Sequence, residues 1–428
     1  MFTISFWLYN IIIIPLFVCA ATLAGFFNQK IAAGLAGRKS LFEKLNKDLK
    51  ALDDTRPRVW FHVSSMGEFE QAKPVMACLK AHFPRVIVIL SFYSPSGFNH
   101  AAAYPHKDVV CYMPVDTWRQ AGRFIRFIRP VLAVVVRHDI WPNHMWRLKK
   151  ESIPAVLIDA SISEKKASTY KRFAFVLNPL FACFDTILVV SEENRQRFLT
   201  VFPWPQRIHN CGDSRYDQVY QRAHEKGKIR LLSGKGIFQQ RHCFIAGSIW
   251  PSDEKNLLAA VDDFLRQNKK NRVILAPHEI NRKHIHALVS YFDQKTALYS
   301  QLGPDSDWSF RILIIDQIGL LANLYGFASL AFVGGGFGPG IHNVLEPAAH
   351  GCAVAFGPRY QNSAEAVELI KKKSAFLVKN SRDAGELLQT LVDDIEKINA
   401  YGKKAFELVE KNLGASECTV KKLEPYIS

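Results

Sequence analysis

The sequence predicts an α/β protein of two successive doubly wound parallel-sheet domains behind one N-terminal membrane helix. Three observations carry this. From residue 58 short apolar runs alternate with helix-spaced segments, the alternation lapses near residues 221–240 and then resumes, and the first 29 residues hold no charge. Parallel strands need helical crossovers, so alternating strands and helices of ordinary length point to a parallel sheet. At 428 residues, 48% hydrophobic and 22% charged, the chain has room for two or three domains and is not generally disordered.

The stretch from Ser5 to Phe27 is apolar and, as a helix rising ~1.5 Å per residue, long enough to cross a bilayer core. It lacks the basic start and short apolar run of a signal peptide. Lys30, Arg38, Lys39, Lys44, Lys47 and Lys50 follow, against Glu43 and Asp48. The positive-inside rule then places the rest of the chain in the cytoplasm, with the cluster free to meet anionic headgroups. The expected anchor is 1–29 and the basic juxtamembrane segment 30–57. Eight cysteines stand singly, without a CxxC pair or disulfide-like spacing. That reads as buried thiols in a reducing compartment, with no zinc site evident.

The first α/β domain is expected at 58–216, with strands in VWFHVSS, VIVILSF, VLAVVVR, AVLIDAS, TILVVS and RIHNCG. A charged linker follows at 217–240. The second domain, 241–428, carries CFIAGS, RVILAP, RILIID, SLAFVGGG, AVAFGP and SAFLVKN and ends in a long helical tail. A ligand cleft between two such domains is the expectation, because pockets favour domain interfaces and strand switch points.

The chemistry gathers at strand-to-helix turns. In HVSSMGEFEQAK, Glu68 stands at such a turn, where a carboxylate either meets a substrate or complements the positive end of a helix dipole. RHDIWPN, residues 137–143, ends another strand in the same manner and brings Asp139. In the second half FVGGGFGPGIHNVLEPAAHG reads as a strand, a glycine-rich loop that lets backbone approach a ligand, and a helix that closes at Gly351. Glu346 lies three residues after Asn343, which a helix would put on one face. The run lacks both the dinucleotide G-x-G-x-x-G register and the P-loop G-K-[ST]. AGSIWPSDE brings Ser248 and LAPHE brings His278. Arg215 either reaches a charged ligand or pairs with Asp213 or Asp217.

These segments, in this order, resemble the bacterial 3-deoxy-D-manno-octulosonic-acid (Kdo) transferases of lipopolysaccharide assembly. The carrying motifs are SMGE, WPN, AGS, GIHNVLEP and FGP. The resemblance implies a GT-B fold of two facing Rossmann-like domains and inverting transfer from CMP-Kdo to the tetraacylated lipid A precursor, lipid IVA, at the cytoplasmic face of the inner membrane. It implies neither cofactor nor metal for the transfer. Glu68 matches the general base, with Ser65, Gly67 and Asp139 on the acceptor side. Arg215, Ser248, His278, His342, Asn343 and Glu346 would serve the donor. The basic, aromatic stretch SEKKASTYKRFAFVLNPLFACF would face lipid. Arg137, Asp139, Ser161, Pro277, Gly336 and Ile341 depart from the family pattern.

The net charge of +16 raises nucleic acid as a partner, but the basic residues are dispersed and no nucleic-acid module is recognisable. The competing enzyme class is another GT-B transferase with a different nucleotide-sugar donor or a different lipid or polymer acceptor.

Overall fold

The computed structural model describes residues 4–225, 242–292, 296–303 and 305–427. It divides into two compact units. The first comprises Met1–Gln218 with Leu413–Ser428, and the second Val219–Asn412. Most of the linker expected at 217–240 lies outside the described residues.

The first unit holds strands β1 (Arg58–Val63), β2 (Ile87–Phe92), β3 (Val109–Tyr112), β4 (Leu132–Val136), β5 (Ala155–Ala160), β6 (Thr186–Val189) and β7 (Ile208–Asn210). All pair in parallel, in the order β3-β2-β1-β4-β5-β6-β7. Every residue of β1, β2, β4 and β5 is buried. Helices cover both faces of such a sheet, so its central strands read as continuous apolar runs. The order reverses between β1 and β4, and ligands of open α/β sheets bind beyond the carboxyl ends of the strands at such a point.

The second unit repeats the plan with β8 (Cys243–Ile249), β9 (Arg272–Pro277), β10 (Thr296–Leu298), β11 (Ile312–Ile314), β12 (Leu330–Val333), β13 (Ala353–Phe356) and β14 (Ala375–Leu377). Its order is β10-β11-β9-β8-β12-β13-β14, with β8 and β12 flanking the switch point. Each unit has its own apolar cores, formed by Trp60, Phe124 and Phe184 or by Phe69 and Phe92 in the first, and by Phe244, Phe264 and Phe332 in the second.

Three observations differ from the sequence reading. Cys211 and Cys418 form a disulfide, which spacing could not reveal because 207 residues separate them. Unpaired cysteines therefore no longer argue for a reducing compartment. The tail does not stay wholly with the second domain: the Ala415–Leu423 helix returns to the first unit, where Asp217 accepts hydrogen bonds from the amides of Gly414 at 2.8 Å and Ser416 at 2.6 Å. Finally, the apolar helix Ile4–Phe27 is long enough to cross a membrane, yet its first half packs on the first unit instead of standing clear of it. The Tyr9 hydroxyl donates to Asp116 at 2.8 Å, the amides of Asn10 and Asn143 exchange hydrogen bonds at 2.9 and 3.0 Å, and Phe6 meets Trp118 and Trp146. Its other side leaves Ile4, Trp7, Ile11, Leu16, Leu23, Phe26 and Phe27 exposed.

Candidate functional site

In the first unit two turns meet the switch point. Ser64 and Ser65 leave β1, and Ser65 caps the Met66–His82 helix by accepting from the Glu68 amide at 3.4 Å. The helix start draws the Glu68 side chain backwards, so that its Oε2 accepts from the Ser64 amide and from the Ser64 hydroxyl, both at 2.6 Å. Glu68 therefore does the capping work that its position favours. Its Oε1 makes no hydrogen bond among the described residues. Glu68 as a whole is 8% exposed, its carboxylate held by one oxygen and left with the other. A Cβ built on Gly67 would find only the Ser65 hydroxyl, at 3.9 Å, so this glycine keeps the space beside Glu68 open.

The second turn, after β4, presents Asp139. Its Oδ2 accepts from the Trp141 indole at 2.9 Å and faces His62 Nε2 at 2.8 Å. His62 Nδ1 lies 2.9 Å from the Ser91 hydroxyl, which also accepts from the Trp60 indole at 2.8 Å. Burial alone would raise the Asp139 pKa, but the contacts with His62 and Trp141 outweigh it and hold the carboxyl below its usual range. Asp139 is thus the outer end of a chain of polar groups running into the sheet, and Tyr93 stacks on Trp141 at 4.7 Å. His62 and Ser91 escaped the sequence reading because a histidine and a serine within buried strands give no motif.

In the second unit Ser248, next to last in β8, has φ of +54°, a conformation that L residues adopt only under constraint. The constraint is visible: a Cβ on Gly334 would collide with the Ser248 carbonyl, so the two switch-point loops touch through bare backbone. Asp253, fully buried, ties them together. It accepts from the amides of Trp250 at 2.8 Å, Gly335 at 2.7 Å and Phe337 at 3.1 Å. Sequence reading passed over Asp253, although an acidic residue after Ser-Ile-Trp-Pro-Ser is an N-terminal helix signal.

His278 stacks between Trp250, 4.2 Å away, and His342, 4.5 Å away, and the Trp250 indole donates to His342 Nε2 at 3.0 Å. Burial, then the neighbouring His278, lowers the His342 pKa. The structure therefore brings His278 and His342 together, with Ser248 one residue before the Ile249 carbonyl that accepts from the His278 amide at 2.9 Å. Asn343 does not lie on a helix with Glu346: the helix is only Leu345–Ala349, and Asn343 Oδ1 accepts from the Leu345 amide at 3.0 Å. Glu346 pairs with Arg222 at 3.7 Å. Arg215 forms the expected pair, as its guanidinium binds Asp213 in the first unit at 2.6–3.0 Å.

Two departures from the family pattern acquire a physical reason. A side chain at Gly336 would run into the Gly357 backbone, and Ile341 is buried.

Residues 38–218 match the family model described as 3-deoxy-D-manno-octulosonic-acid transferase (kdotransferase). A 3-deoxy-D-manno-octulosonic acid transferase of Chlamydophila psittaci is 28% identical over 87% of this chain and 86% of its own length. A bifunctional glycosyltransferase/methyltransferase of Fusobacterium nucleatum is 24% identical over 84% of this chain, which spans 57% of that longer protein. In fold, the chain is similar to the UDP-GlcNAc 2-epimerase of Neisseria meningitidis bound to UDP-GlcNAc, with a TM-score of 0.62 at 12% identity, covering 86% of this chain and 100% of the other. The two doubly wound units are thus of the GT-B-like class. The match to the Kdo-transferase family model is confined to residues 38–218, and the likeness to curated Kdo transferases extends over most of the chain.

Proposed function

We propose that the protein is an inverting glycosyltransferase that moves Kdo from CMP-Kdo to lipid IVA, with Glu68 as general base. The observation that carries this reading is the divided Glu68 carboxylate, fixed through Oε2 at a switch point while Oε1 stays unengaged. Oε1 takes the proton of an acceptor hydroxyl. The hydroxyl oxygen then bonds to the anomeric carbon of Kdo from the side opposite the phosphate, and the bond to CMP breaks with its electron pair on the phosphate oxygen. Ser65 and Gly67 shape the acceptor side, and Asp139, held from behind by His62, faces it. Ser248, His278, His342, Asn343 and Glu346 serve the donor, where polar groups fixed in advance stabilise the departing phosphate. Arg215, oriented by its ion pair with Asp213, serves the donor in this reading as well.

Both units sit at the cytoplasmic face of the inner membrane in this reading. The apolar outer side of the Ile4–Phe27 helix, the bases from Lys30 to Lys50, and exposed Phe173 and Phe175 beside Lys165, Lys166, Lys171 and Arg172 support it. A thiol reporter at residue 2 tests how the helix is seated. Labelling from the cytoplasmic side means that the Tyr9 to Asp116 contact persists in the membrane, and labelling from the far side means that the helix leaves the domain and crosses.

Mass spectrometry of lipid IVA after incubation with the purified chain and freshly generated CMP-Kdo tests the activity. Kdo increments are the expected result. Their absence, with UDP or GDP displacing CMP from the protein, would move the reading to another GT-B transferase.

A further inference from the structure

Away from both switch points, the Met66–His82 helix and the returning Ala415–Leu423 helix face each other with a thiol, an imidazole and a carboxylate. Cys78 and His82 are one turn apart and share a face. Glu417 lies opposite and divides its oxygens between them. The Cys78 thiol donates to Glu417 Oε2 at 3.2 Å, and His82 Nε2 lies 3.2 Å from Glu417 Oε1. One donor atom from each residue falls within 4.8 Å of the other two.

We propose that Cys78, His82 and Glu417 bind a divalent cation of the zinc class, which clamps the returning helix to the helix that carries Glu68. Three features favour a cation over a plain hydrogen-bonded triad. Thiolate, imidazole and carboxylate are the donor types that zinc combines, at about 2.3, 2.0 and 2.1 Å. Tetrahedral bonds of those lengths set donor-to-donor edges of about 3.3–3.6 Å; here Glu417 meets the sulfur and the imidazole at 3.2 Å through one oxygen each, and the sulfur lies 3.7 Å from His82 Nδ1, so the three donor groups already gather on that scale and a turn of the carboxylate brings one oxygen to both. The histidine is also oriented from behind: Nδ1 lies 3.0 Å from the Cys78 carbonyl, the kind of backbone contact that holds the Nδ1 proton and leaves Nε2 as the ligand. On binding, the sulfur exchanges its proton for the metal and the proton passes to solvent. His82 and Glu417 are each a little under half exposed, so the cation has a path in and a water completes its shell.

The test uses the full chain, purified in detergent, stripped of metal and titrated with Co²⁺ and then Zn²⁺. A thiolate-to-cobalt charge-transfer band at one equivalent, bleached by Zn²⁺, is expected. It should vanish in Cys78→Ser, weaken at least tenfold in affinity in His82→Ala and in Glu417→Gln, and survive in Cys211→Ala/Cys418→Ala. Zn²⁺ should also raise the melting temperature of the unaltered chain and not that of Cys78→Ser. No band, or a band that persists in Cys78→Ser, overturns the proposal and leaves the three side chains as a hydrogen-bonded triad.

Discussion

Glu68 and Asp253 occupy matching places. Each follows the first strand of its unit, sits in the first turn of the next helix, and reaches back to a backbone amide there. Their difference lies in what remains. Asp253 spends both oxygens on three amides and disappears from the surface, whereas Glu68 spends one oxygen on Ser64 and keeps the other. A carboxylate at a helix start becomes a chemical group only when capping leaves it an oxygen.

The sharpest way to break this comparison is Glu68→Gln. The carboxamide oxygen can still accept from Ser64, so the cap survives while the base is lost. Turnover should fall by roughly 10²–10⁴-fold, with CMP binding and thermal stability near those of the unaltered chain. Full activity in that variant would reduce Glu68 to a cap. Asp253→Ala should act on the other axis, since three amides lose their acceptor. Stability measured by denaturant should drop by about 3–5 kcal/mol, and donor affinity with it, as the loops from Gly334 to Phe337 come loose from Trp250. Gly67→Ala sharpens the contrast further. The protein leaves room for that methyl group, so the helix should gain roughly 0.5–1 kcal/mol while transfer slows by about tenfold, as the methyl group fills acceptor space. Equal activity would place the acceptor elsewhere.

A graded effect, spread over pH, concerns Asp159, next to last in β5. Burial, then nearby Asp213, raises its pKa to about 7 even though Ser214 donates to it. Between the ordinary carboxyl range and pH 7 the folded chain keeps a proton that the unfolded chain has lost. Stability should therefore decline as pH rises through that window, by less than about 1.4 kcal/mol per unit. Asp159→Asn should flatten the slope, and a parallel slope in that variant would shift the cause to another group.

The central strands of both sheets were legible in the sequence because burial on both faces makes them continuous apolar runs. Two strands were missed, β3 (VVCY) and β10 (TAL), and both are the outermost strands on the same side of their sheets. An edge strand needs to bury less, so it is short and its composition says little. The site was legible where a turn is spelled by local residues, as in SMGE, WPN and AGS. It was illegible where the chemistry depends on distant partners: His62 with Ser91, Asp253 with the glycine loop, and Cys211 with Cys418 all join residues that no spacing rule connects.

The return of Leu413–Ser428 has a consequence for how the molecule comes into being. In chain order, the second unit is an insertion within the first. A ribosome therefore finishes the first unit last, after the whole second unit has been made, and residues 1–218 must wait unsealed until their last helix is made. Joining residue 218 to residue 413 through a short linker should yield the first unit as one uninterrupted polypeptide. Cutting the chain at 412 should instead damage the part of the protein most distant from the cut in sequence.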